Sequence, residues 1–484
     1  MRTIHKILFV FTVIFFSCEG MLDEVPKDFV SRANYYQNEN DAQGAITGVY
    51  AALDRDYFDI TYYLLEVLHA DYLNGRGSQA SVSIVDQVLD AGNIGRVTTS
   101  WATLYTCINR ANSVLANVPG IENIDPDVKD RILAEARFLR AMAYFNLVRN
   151  WGPVPLRLTE STDLSALASP RASVAEVYDQ IIEDALIAEA DLPETVDHTG
   201  RASRWAAKML LAQVYLTLEQ WDESARLSDE VITSGHYSLV EVSESNDFYN
   251  IFAVETSSED IMSMHHSDNR TSALPTYLHR GNTDPYNKQG TGFWAWIPNT
   301  DSFIGDSWDD NDLRKSFNLY TYTIKQNGDT VPLPSSSPIL FKKFISNPNG
   351  RHLYSVPIFR LTEAYLMYAE ASAMDEGSPS ALALERLNTI RRRAYGHDPY
   401  AVSPDDYPSG MNLDAFRDTV IQERAYEFLL ERRRWWDLNR TGTVKEAMAA
   451  VGKTFIDERY LWPIPDNEIN SNPALTPADQ NPGY

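Results

Sequence analysis

Cysteine is nearly absent: the 484 residues hold two, Cys18 and Cys107. A scaffold stapled by disulfides is thereby excluded. Basic charge is scarce, with 42 Lys and Arg against 67 Asp and Glu and a formal net charge of −25. A nucleic-acid binder carries a basic patch to displace counterions, so no nucleic-acid partner is expected. Nucleophile elbows, phosphate-binding loops and zinc motifs are missing, so no catalytic residue, cofactor or metal is assigned. After the N-terminus no apolar run reaches the roughly 18 residues that a membrane-spanning helix needs.

The first residues are informative. Arg2 and Lys6 precede an apolar run, Ile7 to Phe16, broken only by Thr12; Ser17 and Cys18 follow. The run is too short to span a bilayer and has the layout of a secretory leader. An apolar core, a small residue and then Cys is the pattern of a bacterial lipoprotein signal. Residues 1–17 are therefore expected to leave, with Cys18 carrying the lipid. Several acyl chains at about 0.8 kcal/mol per buried CH₂ anchor a protein stably. With Cys18 acylated no disulfide remains, and Cys107 reads as a small buried residue in the helical pattern Trp101-x-x-Leu104-Tyr105-x-x-Ile108.

Helical periodicity dominates much of the chain. Ile132, Ala136, Leu139, Ala143 and Leu147 line one face of a helix opened by Asp125-Pro126 and stopped by Gly152-Pro153. Ser173 and Ser203 cap two more, and Trp221 to Ile232 pairs with the second. Further helices are expected at Arg360–Met374 and Ser380–Tyr395, and Leu413–Arg440 reads as one long charged helix. Leu211-Ala212-x-x-Tyr215 followed by Ala225 loosely matches a tetratricopeptide pattern. The expected class is mainly α: a tetratricopeptide-like α/α superhelical scaffold over about 33–236 and 358–484, carrying a long irregular ligand-binding insertion at about 237–357.

In the insertion periodicity fails, Gly and Pro recur and aromatics crowd. Long irregular segments on a rigid scaffold are where binding residues concentrate. Trp294 and Trp296 are two apart, so an extended backbone places both on one side about 7 Å apart. Flat aromatics cover the apolar faces of sugar rings, while Asn, Asp and Arg bond to hydroxyls. Tyr286 and Trp308 are further candidates, and Tyr72, Asn74 and Arg76, from a shorter irregular stretch at Asp71–Arg96, are expected at the rim. The competing reading of each aromatic is a satellite core beneath the loop. Asp306, Asp309, Asp310 and Asp312 lack the spacing of a calcium loop and read as solvated, and His265-His266 reads as surface. Trp101, Trp435 and Trp436 read as core, and Arg432-Arg433-Arg434 as ion pairs with Glu427 and Glu431 along the long helix.

Four blocks resemble the SusD/RagB family of outer-membrane nutrient-binding lipoproteins. They are Met21-Leu22-Asp23-Glu24-Val25-Pro26 with Asp41-Ala42-x-x-Ala45-x-x-Gly48-Val49-Tyr50; Glu135-Ala136-Arg137-Phe138-Leu139-Arg140-Ala141 running on to Trp151-Gly152-Pro153-Val154-Pro155-Leu156; Glu423-Arg424-x-x-Glu427-Phe428 with Arg434-Trp435-Trp436-Asp437-Leu438; and Pro463-Ile464-Pro465-x-x-Glu468-Ile469 with the terminal Gln480-Asn481-Pro482-Gly483-Tyr484. The resemblance implies four tetratricopeptide-like helix pairs and a variable ligand-binding part. It implies as partner a SusC-like TonB-dependent transporter, which the lipoprotein covers as a hinged lid. Glu19, Asp23 and Glu24 look like the acidic signal for the outer leaflet of the cell outer membrane. The ligand expected is a glycan; a peptide is the alternative, and a glycan-processing enzyme a distant third.

Overall fold

The computed structural model describes residues 35–53, 61–89, 91–161, 168–266, 274, 278, 295–298, 303–305, 307–325, 327–344 and 355–484. Cys18, Tyr286 and Trp294 lie outside them.

The fold is mainly helical. Its scaffold helices are α1 (Glu39–Ala52), α2 (Thr61–Leu68), α3 (Ala91–Asn117), α4 (Pro126–Trp151), α5 (Val174–Asp191), α6 (Arg204–Thr217), α7 (Trp221–Thr233), and then α8 (Leu361–Glu376), α9 (Ala381–Ala394), α10 (Leu413–Glu427) and α11 (Arg434–Arg440). Local chemistry sets their ends. Asp125 accepts from the amides of Asp127 and Val128 to start α4, and Gly152, at φ 69°, ends it in a conformation that side chains disfavour. Ser173 and Glu176 form a reciprocal capping box on α5, and Ser203 and Ser380 cap α6 and α9.

Packing follows the chain order. α3 packs on α4, α4 on α5, α5 on α6 and α6 on α7; α7 then packs on α8, which packs on α9 and α10. The α7–α8 contact closes the scaffold across the intervening segment. α4 is buried almost all round from Ile132 onward, and one apolar core runs from α1 to Ile464. Each Leu, Ile or Phe buried there contributes about 1.5–3 kcal/mol. Arg140, within this core, donates Nε and Nη2 to Asp184 of α5 at 2.7 Å and Nη1 to Asn112 of α3 at 2.7 Å. Cys107, Trp101, Trp435 and Trp436 are buried. Among the described residues no helix is long and apolar enough to cross a membrane.

The strands are short. β1 (Asn74–Gly75) pairs with β5 (Ala295–Trp296), β2 (Val154–Pro155) with β3 (Arg171–Ala172), β6 (Leu319–Tyr320) with β9 (Leu340–Phe341), and β7 (Tyr322–Ile324) with β8 (Thr330–Pro332). The longest ribbon joins β4 (Asp260–His265) to β10 (Ser355–Arg360), antiparallel, and β10 leads directly into α8.

One expected helix is broken. The Leu413–Arg440 segment stops being helical at Glu427 and resumes at Arg434, with Leu430 and Arg432 at φ 64° and 60°. Left-handed backbone at such residues costs on the order of 1–3 kcal/mol. The strain is held by partners from elsewhere. Tyr63 Oη donates to the Leu430 carbonyl at 2.6 Å, and the Leu430 amide donates to Tyr72 Oη at 3.2 Å. The charges also pair away from their own helix. Glu431 meets Arg360 and Lys343, Arg433 meets Glu363, and Arg434 meets Asp71. A straight helix would aim these groups at one another; tertiary pairing overrides it.

Candidate ligand-binding face

The two irregular stretches singled out in the sequence meet in one antiparallel pair. Asn74 lies opposite Trp296, and Gly75 opposite Ala295. Gly75 is required by space, because a Cβ there would lie 2.3 Å from the Gln79 carbonyl oxygen. The approach to β1 is pinned residue by residue. Asp71 accepts from Arg434 Nη2 at 2.7 Å, and Tyr72 Oη takes the Leu430 amide. The Leu73 carbonyl accepts from Lys453 Nζ at 2.6 Å, and the Gly75 amide donates to Ser83 Oγ at 2.8 Å. Burial draws the Lys453 ammonium down to about 8, against the pull of Asp71. Asn74 is left half-buried and Arg76 exposed.

On the opposing strand, Ala295 and Ile297 are fully buried while Trp296 between them is half-exposed, the alternation expected of a strand with one covered face. Ile297 extends the pairing by bridging Ile339. Trp296 packs against a small cluster of Tyr320, Leu333 and Leu340. An indole and a carboxamide therefore share a short, braced strand pair, and a guanidinium sits on the residue that follows β1. Such a set offers an aromatic surface beside hydrogen-bonding groups, the combination that suits a polyhydroxylated ring.

Trp308 and Tyr72 sit elsewhere than at an open rim. Trp308 is 1% exposed, its Nε1 donates to Asp312 Oδ2 at 2.9 Å, and its ring stacks on Tyr426 with centroids 4.5 Å apart. Tyr72 is 3% exposed, with its ring edge-on to Phe303 and its phenol pushed well up by burial. Both belong to the main apolar core, which also takes in Ala295 and Ile297 of the opposing strand. Lys453 and Ser83 are positioning residues that sequence reading missed; nothing in the sequence links them to β1.

Of the acidic run, Asp306 lies outside the described residues, and the other three do not form one solvated loop. Asp309 and Asp310 are exposed, but Asp312 is buried, caps the short helix Leu313–Asn318 and pairs with Arg314. Arg314 also meets Glu423 at 2.7 Å and Glu427 at 3.1 Å. Burial alone would raise Glu427, yet Arg393, Arg360 and Arg314 outweigh it and hold the carboxyl well below the usual range. The expected surface position of His265-His266 is likewise corrected. His266 is buried, and His265 lies between Thr199 Oγ1 at 2.8 Å and Ser355 Oγ at 3.1 Å, where burial and then His198 pull it down to about 4. The β4–β10 ribbon brings these partners together. No group of three His, Cys, Asp or Glu able to hold a metal gathers among the described residues.

Residues 263–484 match the family model described as the SusD family, and residues 28–216 match that described as starch-binding associating with outer membrane. The chain belongs to the SusD/RagB family. A SusD-like protein of Formosa agariphila is 25% identical over the full length of both chains. A SusD homologue of Bacteroides thetaiotaomicron, 22% identical, superposes with a TM-score of 0.79 over 94% of this chain and 98% of its own. A laminarin-binding SusD-like protein, 24% identical, gives 0.74 over 93% of this chain and 100% of its own. Residues 21–26 lie outside the described residues, and the second and fourth blocks that carry the SusD resemblance bond to one another. Trp151 Nε1 donates to the Pro463 carbonyl at 3.0 Å, and the Asn481 amide donates to the carbonyls of Trp151 and Trp462 at 3.0 and 2.7 Å. The tail thus seals the end of α4 rather than lining the Trp296 face.

Proposed function

We propose that this SusD-family chain is a lipoprotein of the cell outer membrane, anchored through Cys18 and facing outward, that binds a nutrient glycan. It delivers the glycan, as a lid, to a SusC-like TonB-dependent transporter. The ligand meets Asn74, Arg76 and Trp296, with Trp294 and Tyr286 extending the aromatic surface and Trp308 and Tyr72 bracing it. The observation that carries this reading is the pairing of Asn74 with Trp296, both half-exposed, which joins both irregular stretches in one strand pair. The likeness to a laminarin-binding relative supports a glycan as the ligand class. The role is binding, not catalysis, and needs no cofactor.

The test is a calorimetric screen of the chain lacking residues 1–18 against glycans and against peptides. One glycan class binds, and Trp296→Ala weakens it by about 1 kcal/mol or more, the scale of an aromatic contact. Binding of peptides alone would overturn the glycan reading. For the anchor, Cys18→Ala releases the protein from the membrane fraction of cells that lack the transporter; retention there would refute lipidation.

A further inference from the structure

A second cleft, of about 210 Å³, lies among the scaffold helices α4, α5, α6 and α11, lined by Arg149, Tyr178, Thr217, Trp436, Asn439 and Arg440. None of these residues belongs to the face at Trp296. Two chambers of about 30 Å³ each share Arg149 and Trp436 with it. The small chambers suit water, whereas the main one exceeds the roughly 150 Å³ that admits a benzene-sized ligand.

The two arginines of the cleft differ. Arg440 is saturated: it donates to both oxygens of Glu370 at 2.6 Å and to Asp437 at 2.8 Å. Arg149 has no carboxylate within ion-pair distance among the described residues. Its guanidinium carbon stacks 3.8 Å from the Phe145 ring centroid and 4.2 Å from that of Trp436. Nε donates to the Phe145 carbonyl at 3.2 Å and Nη2 to Asn146 Oδ1 at 2.8 Å. Nη1 donates to nothing among the described residues. Glu66, the acid that feels this charge, is already engaged by Trp436 Nε1 at 3.0 Å.

Two neutral groups beside Arg149 are also unused. Tyr178 is only 7% exposed, and its hydroxyl has no hydrogen-bond partner among the described residues. The side-chain amide of Asn439 has none either. A held cation, a phenol and an amide therefore border one cleft, all able to donate.

We propose that this cleft binds the carboxylate of a small ligand, with Arg149 as charge partner, Tyr178 and Asn439 as donors, and Trp436 as an apolar wall. An ionised carboxylate only accepts hydrogen bonds, which matches a set of donors. It also compensates Arg149, the arginine of the cleft that has no carboxylate among the described residues; a phosphate, with a charge near two, would exceed it. The stacked guanidinium is pre-organised, so little side-chain freedom is lost on binding. A uronic acid and the C-terminus of a short peptide both supply this chemistry.

The experiment is calorimetric titration of the mature chain in detergent with two matched pairs: glucuronate against glucose, and glycyl-phenylalanine against its amide. At least one acid binds ten-fold or more tightly than its neutral partner, and whichever pair shows the preference identifies the source. Arg149→Gln abolishes the preference, Tyr178→Phe and Asn439→Ala each weaken it several-fold, and Trp296→Ala leaves it intact. If Arg149→Gln lowers the melting temperature, Asn439→Ala carries the test, since that side chain bonds to nothing else described. Equal binding of acid and neutral partner overturns the proposal. So does a preference that survives Asn439→Ala and a folded Arg149→Gln, or one that vanishes with Trp296→Ala.

Discussion

The helical scaffold and the segment between Tyr237 and Pro357 are held together by different physics. α4 and its neighbours bury a continuous apolar stripe, and each helix satisfies its own backbone. In the segment, the described strands between β4 and β10 are two or three residues long, too short to be stable as isolated ribbons. Buried ion pairs take over. Arg314 reaches Glu423 and Glu427 of α10, and Lys343 reaches Glu431 at 2.5 Å. An apolar stripe tolerates local change, whereas a buried charge left without its partner does not.

The largest effect expected is at that junction. Arg314→Met leaves the buried Asp312 without its cation and takes one cation from Glu423 and Glu427, the latter keeping Arg360 and Arg393, and should cost about 3–5 kcal/mol in urea unfolding. A loss under about 1 kcal/mol would break the contrast between the regions. Next is Trp308→Ala, which empties a fully buried site and should cost about 3 kcal/mol or more, with heat denaturation as the check.

A third prediction uses pH at the ribbon that closes the segment. Burial pushes Asp260 up to about 6 in the fold, against hydrogen bonds from Ser263 and Thr199. An unfolded Asp titrates near 3.9. Between those values the folded state holds a proton that the unfolded state has lost, so this group's contribution to stability rises as pH falls from about 6 towards 4. Asp260→Asn removes that slope. Its stability relative to the parent protein should be highest at pH 7 and fall by about 2 kcal/mol by pH 4.5. A difference constant with pH would show that Asp260 stays ionised in the fold. Glu427, Glu431 and Asp437, all held low, act oppositely, and their contribution disappears as pH drops through their folded values. The smallest effect is Trp296→Ala. As a half-exposed residue on a satellite cluster it should change stability by about 1 kcal/mol or less, which separates it from Trp308 on one melting experiment.

The helices were legible because their signals are local. Asp125-Pro126, Ser173 with Glu176, and Gly152 mark ends through bonds that lie within one turn. The break after Glu427 was not legible, since nothing within Leu413–Arg440 forbids a helix; Tyr63, Tyr72, Arg360 and Asp71 impose it from afar. The candidate face was half legible. Trp296 and Asn74 stood out separately as members of irregular stretches, but not as partners. Trp308 and Tyr72 looked the same in sequence as Trp296, because an aromatic residue in an irregular segment carries no mark of which side of the loop it faces.

By itself, then, the sequence determined the helix-rich class, the family and the ends of helices such as α4 and α5, all of which rest on spacing and on contacts a few residues apart. Tertiary structure alone decided which aromatics are buried, where the long charged segment bends, which of its charges pair, and that Arg149 has no carboxylate beside it among the described residues while Arg440 has two. Those outcomes depend on which distant groups share a desolvated space, and the free energy of a charge or an indole is set by that surrounding rather than by its neighbours in the chain.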